Sequence, residues 1–251
     1  MKFRLLVLIL FTSNIAYSQS ETFESNINNI ITLFKQKDID KIASIVNFPL
    51  RREYPIPNIE NEKELKLRFD EVFDKTFIDM IANSEINQWS EVGWRGTMFE
   101  NGILWIESYS GRIIAVNYQS EFEKKRKADL IAKEKKDLHI SLKNFESPTY
   151  RIKTKNYLIR IDRLSNNKYR YASWKTGEKE SSKPDIILSN GEIEFLGSGG
   201  NHIIVFKNKN YTYKIYRDVL KELNDPDPDI VLEVEKDGGT ILTENGTLII
   251  Q

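Results

Sequence analysis

Ile193-Glu194-Phe195-Leu196-Gly197-Ser198-Gly199-Gly200-Asn201-His202-Ile203-Ile204-Val205-Phe206 is two apolar runs of strand length joined by a glycine-rich loop. Three glycines in four positions let the backbone take positive φ or approach another molecule closely, which a Cβ makes costly. Both glycine-rich phosphate motifs open a helix, whereas this loop opens a β-branched strand, so the stretch reads as antiparallel β and not as a nucleotide cradle. The loop is also the first candidate for a binding site. Ser198, Gly199, Gly200, Asn201 and His202 combine a hydroxyl, an amide and an imidazole on a narrow backbone, and a bulged turn is the plain alternative.

The second half of the chain keeps the same period. Tyr157 to Leu164, Tyr169 to Trp174, Asp185 to Leu188, Glu192 to Leu196, Ile203 to Lys207, Tyr211 to Tyr216, Val231 to Lys236, Thr240 to Thr243 and Thr247 to Ile250 are each of strand length. Asn166-Asn167, Asn190-Gly191, Asn208-Lys209, Asp237-Gly238-Gly239 and Asn245-Gly246 read as the turns between them, which predicts an all-β antiparallel barrel or sandwich over 148–251. In Tyr211 to Tyr216 the core face is assigned to Tyr211, Tyr213 and Ile215.

The first half reads as helices followed by a sheet. Phe23, Ile27, Ile30, Ile31 and Phe34 form one helical stripe, and Ile39, Ile42, Ile45 and Val46 form a second after Asp38 as N-cap. Asn61 with Glu64 resembles a capping box and opens a third helix whose apolar face, Leu65, Phe69, Val72, Phe73, Phe77, Ile78 and Ile81, runs to about Asn83. Leu50 to Tyr54 reads as a short strand closed by Pro55 and Pro57, with Arg51-Arg52 as a solvated edge. From Trp89 the period changes to two. Trp89 to Phe99, Ile103 to Ser108 and Arg112 to Tyr118 read as three antiparallel strands, with a type I′ hairpin expected at Asn101-Gly102. The fold class is therefore α+β: N-terminal helices packed on a curved antiparallel sheet over 19–120, a charged helical linker over 121–147, then the all-β domain.

The order of these elements resembles the NTF2-like, or cystatin-like, α+β superfamily over about Glu21 to Tyr118, and Val92-Gly93-Trp94-Arg95-Gly96-Thr97-Met98-Phe99-Glu100-Asn101-Gly102-Ile103-Leu104-Trp105-Ile106 is similar to the strand pair of its exported bacterial members. That resemblance implies helices laid into the concave side of a bent sheet, and Tyr54, Asp70 and Trp94 as the side chains for an alternative pocket there. No acid and base pair matches the catalytic members. Over about Tyr150 to Gln251 the glycine loop, the Tyr169-Arg170-Tyr171-Ala172-Ser173-Trp174 strand and the all-β setting resemble small β-barrel periplasmic lysozyme inhibitors, without their cysteines. The resemblance implies insertion of the loop into a partner's cleft.

Lys2 and Arg4, the apolar run Leu5 to Phe11 and Ala16-Tyr17-Ser18 make 1–18 a secretory signal peptide cleaved before Gln19, and no later stretch approaches the ~20 apolar residues of a membrane span. The expected location is the bacterial envelope, periplasmic or secreted. The chain has 37 basic and 37 acidic side chains; loss of Lys2 and Arg4 with the leader leaves a formal charge of −2, which gives no general attraction to nucleic acid. Zero cysteines and two histidines leave no zinc or thiol constellation, and His139 has no partner at ligand spacing. Asp225, Asp227 and Asp229 imitate an EF-hand opening, but its sixth and twelfth positions are Ile230 and Lys236. Ser198 and His202 lack both an orienting acid and a nucleophile elbow. Paired carboxylates of the glycosidase kind have a purely spatial test. With no catalytic set, metal site or cofactor motif, the expectation is a non-catalytic binding protein acting through the β domain on an envelope protein or a cell-wall component. The alternative is a small-molecule enzyme or ligand receptor using the concave pocket of the N-terminal domain.

Overall fold

The structure, a computed structural model, describes residues 22–197, 199–219, 228 and 230–249. The leader, Ser198 and the acids Asp225, Asp227 and Asp229 lie outside the described residues. The chain divides into two compact units between Arg126 and Lys127. The first is helices on a four-stranded antiparallel sheet, and the second is a closed eight-stranded antiparallel barrel.

In the first unit the apolar stripe folds as helix α1 (22–36), with Ile27, Ile30 and Phe34 fully buried. The Asp38 carboxylate accepts the Lys41 amide at 3.1 Å and starts α2 (Ile39–Ser44). Asn61 likewise accepts the Glu64 amide at 3.0 Å and starts α3 (Glu62–Leu67). The single helix expected from here to Asn83 is three: α3, α4 (Phe69–Val72) and α5 (Lys75–Ala82). Asp74 causes the last break, because its extended backbone and its carboxylate, 2.9 Å from the Phe77 amide, make it a fresh N-cap. The apolar spacing survives the break. Phe69, Phe73 and Phe77 remain in ring contact, with centroids 5.0 and 5.4 Å apart.

The sheet also departs from expectation. Four strands, β1 (Trp89–Glu91), β2 (Thr97–Phe99), β3 (Leu104–Ile106) and β4 (Ile113–Val116), pair in sequence order, because a turn at Gly93–Arg95 splits the first predicted strand. Between β2 and β3 the left-handed residues are Glu100 and Gly102, so the connection is a four-residue loop and not a type I′ turn at Asn101-Gly102. Leu50 to Tyr54 is not a strand: Leu50 makes one bridge to Ile59. Arg52 is no solvated edge either. Its guanidinium is buried, donates to the Val116 and Tyr118 carbonyls at 2.5 and 2.7 Å, and forks onto the buried Glu123 carboxylate of helix α6 (Glu121–Asp137), with Nε to Oε1 at 2.7 Å. An ion pair this dry is retained only when further hydrogen bonds satisfy it, as the two carbonyls do here.

The second unit is an up-and-down meander of β5 (Ser147–Lys153), β6 (Tyr157–Arg163), β7 (Tyr169–Lys175), β8 (Ile186–Phe195), β9 (His202–Asn208), β10 (Tyr211–Arg217), β11 (Ile230–Lys236) and β12 (Gly239–Leu248), closed by pairing of β12 with β5. Closure removes the exposed edges of an open sheet. Two expected turns are absent. Asn190-Gly191 and Asn245-Gly246 lie inside the long strands β8 and β12, and their glycines face inward, where a Cβ on Gly191 would fall 2.2 Å from the Phe206 ring and one on Gly246 would fall 2.6 Å from Ile152. These glycines make room instead of turning the chain. β5 joins the meander as a strand that the alternation did not single out, with Pro148 and Ile152 buried. Ile159, Ile161, Tyr171, Ile204, Phe206, Ile215 and Leu232 fill the barrel, with Tyr211 and Tyr213 packed against them on the predicted face.

The outer face of β6 and β7 is covered as well. Leu138, Leu142, Phe145, Ala172 and Trp174 form a second cluster, and the fully buried Arg160 pairs with Asp162 and Glu134, both at 2.7 Å. Arg170 completes the network through Asp162 at 2.5 Å and the Leu142 carbonyl at 2.7 Å.

Candidate functional site

The loop between β8 and β9 runs from Phe195 to His202, which pair directly, and the Leu196 amide closes it on the Asn201 carbonyl at 2.7 Å. His202 points into the barrel rim and is buried. Its Nδ1 lies 2.7 Å from the Gly200 carbonyl, which can only accept, so Nδ1 carries the proton. Nε2 then accepts from the Tyr150 hydroxyl at 2.8 Å. Burial pushes the Tyr150 phenol above its ordinary value, against the opposing charge of Arg217. The Tyr150 and His202 rings stack at 5.9 Å, and Phe195 meets His202 edge-on at 5.7 Å. Asn201 is committed to the fold too, since its Oδ1 accepts the Val219 amide at 2.8 Å.

Asn201 and His202, two of the polar side chains singled out in the sequence, therefore fasten this loop, and among the described residues its exposed large side chains are apolar. Phe195 is 66% exposed and Leu196 50%, followed by Gly197 in the left-handed region with open space on its Cβ side. Gly199 and Gly200 are half-buried. The sequence reading overlooked Phe195 and Leu196 because both belong to an apolar strand run; their place at the end of that run, against the glycines of the loop, was the available signal.

The alternative trio separates. Asp70 is exposed on α4 and Tyr54 is half-buried in the proline segment, while Trp94 stands on the Gly93–Arg95 turn, 77% exposed. The interior where a concave pocket was expected holds Ile27, Ile30, Phe34, Phe73, Phe77 and Phe99, all fully buried. Trp94 instead borders a surface cleft of about 760 Å³ that includes neither Tyr54 nor Asp70. No family model, curated protein or solved structure matches this chain.

The described residues hold no group of three His, Cys, Asp or Glu side chains placed for a metal ion. Of the buried carboxylates, Glu123 and Asp162 are each held by guanidinium groups as structural counter-ions, and Glu244 accepts from the Asn156 amide at 3.2 Å and from the Asn156 side chain. Glu91 and Glu107 do share the Trp94 cleft, yet both stand in water, without the burial that a glycosidic general acid requires.

Proposed function

We propose that the chain is an exported, non-catalytic binding protein whose barrel holds a protein of the cell envelope through the β8–β9 rim. The observation that carries this reading is the fastened loop with its two exposed apolar side chains. Tyr150, His202, Asn201 and Val219 fix the loop base, so binding costs little ordering, and Phe195 and Leu196 supply the apolar area. The likeness to small barrel inhibitors of lysozyme belongs to this proposal and suggests a cleft-bearing muramidase as partner class. The packed interior of the first unit supports binding over a pocket enzyme there.

The test is inhibition of a purified muramidase acting on a cell-wall suspension, together with photo-crosslinking in envelope extract from a benzoylphenylalanine placed at Phe195 or at Lys209, the latter in the turn at the opposite barrel end. The expected outcome is inhibition that falls at least about tenfold in the Phe195→Ala/Leu196→Ala variant, or a single crosslinked protein from position 195 alone whose yield falls when Leu196→Ala is added. Equal crosslinking from both positions with no inhibition, or indifference to the double substitution, refutes the reading.

A further inference from the structure

The cleft beside Trp94 is built by two turns of the first unit. In the first, the Val92 amide donates to the Gly96 carbonyl at 2.8 Å and closes a tight loop around Gly93, Trp94 and Arg95. Gly96 has φ 101° and ψ −161°, and a Cβ there would fall 2.4 Å from the Ile106 carbonyl oxygen, so no other residue fits without moving the sheet. The fold thus interrupts a hairpin with a strained turn whose outward content is an indole and a guanidinium. In the second turn, between β3 and β4, Asn26 donates to the Ser108 carbonyl at 2.8 Å, and Tyr109 stands 83% exposed.

Nothing internal uses these side chains. Among the described residues neither Trp94 nor Tyr109 takes part in a ring contact or hydrogen bond, and Arg95 and Glu91 form no ion pair although both border one cleft. Two large aromatic rings left in water cost apolar exposure that a packing role would have removed.

The charges narrow the ligand. Glu91 and Glu107 outnumber Arg95 and oppose an anion, the guanidinium offsets part of the pull on a cation, and the same three groups make the cleft a poor host for a purely apolar molecule. A neutral molecule with apolar C–H faces and many hydroxyls suits the walls: rings for the faces, the Glu91 carboxylate and the second oxygen of Glu107 as acceptors, and the guanidinium as donor, while Glu107 Oε2 already accepts from the Ser110 hydroxyl and the Ser108 hydroxyl lies 3.2 Å from that of Thr97. The volume, about 760 Å³, falls within the range of ligand sites. We propose that the Trp94–Tyr109 cleft is a binding site for a neutral oligosaccharide, with the two aromatic rings as stacking platforms and Arg95, Glu91 and Glu107 as the hydroxyl-binding groups. This does not depend on the barrel reading, because every residue involved lies in the first unit.

The test uses the full chain and defined probes: soluble oligomers of N-acetylglucosamine, of glucose and of xylose, followed by calorimetry and by tryptophan fluorescence, with choline and inorganic phosphate as charged probes. Binding of at least one sugar series is expected, with affinity falling at least tenfold in Trp94→Ala and again in Tyr109→Ala, and unchanged in Phe195→Ala/Leu196→Ala. Both aromatic side chains are exposed, so the variants keep the fold, which circular dichroism checks. Absence of sugar binding at millimolar concentration, binding that Trp94→Ala leaves intact, or tighter binding of choline or phosphate than of any sugar overturns the proposal.

Discussion

Replacing His202 with Ala separates a fastening role from a presented one. The substitution removes the hydrogen bond to the Gly200 carbonyl at 2.7 Å and the one from the Tyr150 hydroxyl at 2.8 Å. At ~0.5 to 1.5 kcal/mol net for each bond, the loss is about 1 to 3 kcal/mol. With a urea dependence near 2 kcal/mol per molar, the unfolding midpoint of the barrel should fall by roughly 0.5 to 1.5 M. An exposed loop side chain would move it by less than about 0.5 kcal/mol. Tyr150→Phe removes one of the two bonds and costs about 1 kcal/mol. The double variant Tyr150→Phe/His202→Ala should be less destabilised than the sum by a similar amount, since the shared bond is lost only once. Equilibrium urea unfolding followed by tryptophan fluorescence reads all four forms, because Trp174 is buried in this unit. A His202→Ala midpoint indistinguishable from that of the parent, or strict additivity in the cycle, would refute the account of the loop base.

Two further outcomes follow from the packing. Gly191→Ala should destabilise the barrel by about 1 to 3 kcal/mol through overlap with the Phe206 ring, and Phe206→Leu should relieve part of that cost; a cost independent of residue 206 would contradict the inward placement of Gly191. Burial and then the Asp74 carboxylate, which accepts its hydroxyl at 3.0 Å, push the Tyr118 phenol up to about 12, so the folded state holds that proton more tightly than the unfolded chain does. Its contribution is complete below about pH 10 and is lost as pH rises toward 12, and Tyr118→Phe should flatten urea midpoints measured across that interval; an unchanged slope would refute it.

Where a residue's role is set by its near neighbours in the chain, the sequence was readable. Helix α1, the caps Asp38 and Asn61, and the inward face of β10 follow from spacing and from side chains three or four positions away. Roles set by distant partners were not readable. Arg52 looks like a solvated edge until Glu123, 71 residues on, meets it, and His202 looks presentable until Tyr150, 52 residues earlier, takes its Nε2. The Asp74 break is an intermediate case. Its capping signal is local, but an apolar period running through Phe69, Phe73 and Phe77 masks it, since packing keeps the rings in line across the break.

The glycines show why the site was harder to read than the fold. A glycine inside a strand pattern has two physical uses, to let a turn project its neighbours or to leave room for a side chain arriving from elsewhere, and both break the apolar alternation in the same way. At Asn190-Gly191 and Asn245-Gly246 the second use holds, and reading them as turns divided two strands that are continuous. At Gly93 and Gly96 the first holds, and reading through them joined two strands that are separate. What distinguishes the cases is what flanks the glycine. Gly93 and Gly96, both at positive φ, bracket Trp94 and Arg95, whose side chains are exposed, whereas Gly191 and Gly246 follow asparagines that face water. A paired glycine around bulky residues therefore marks projection, and that criterion alone would have placed Trp94 on the surface and not in an enclosed pocket.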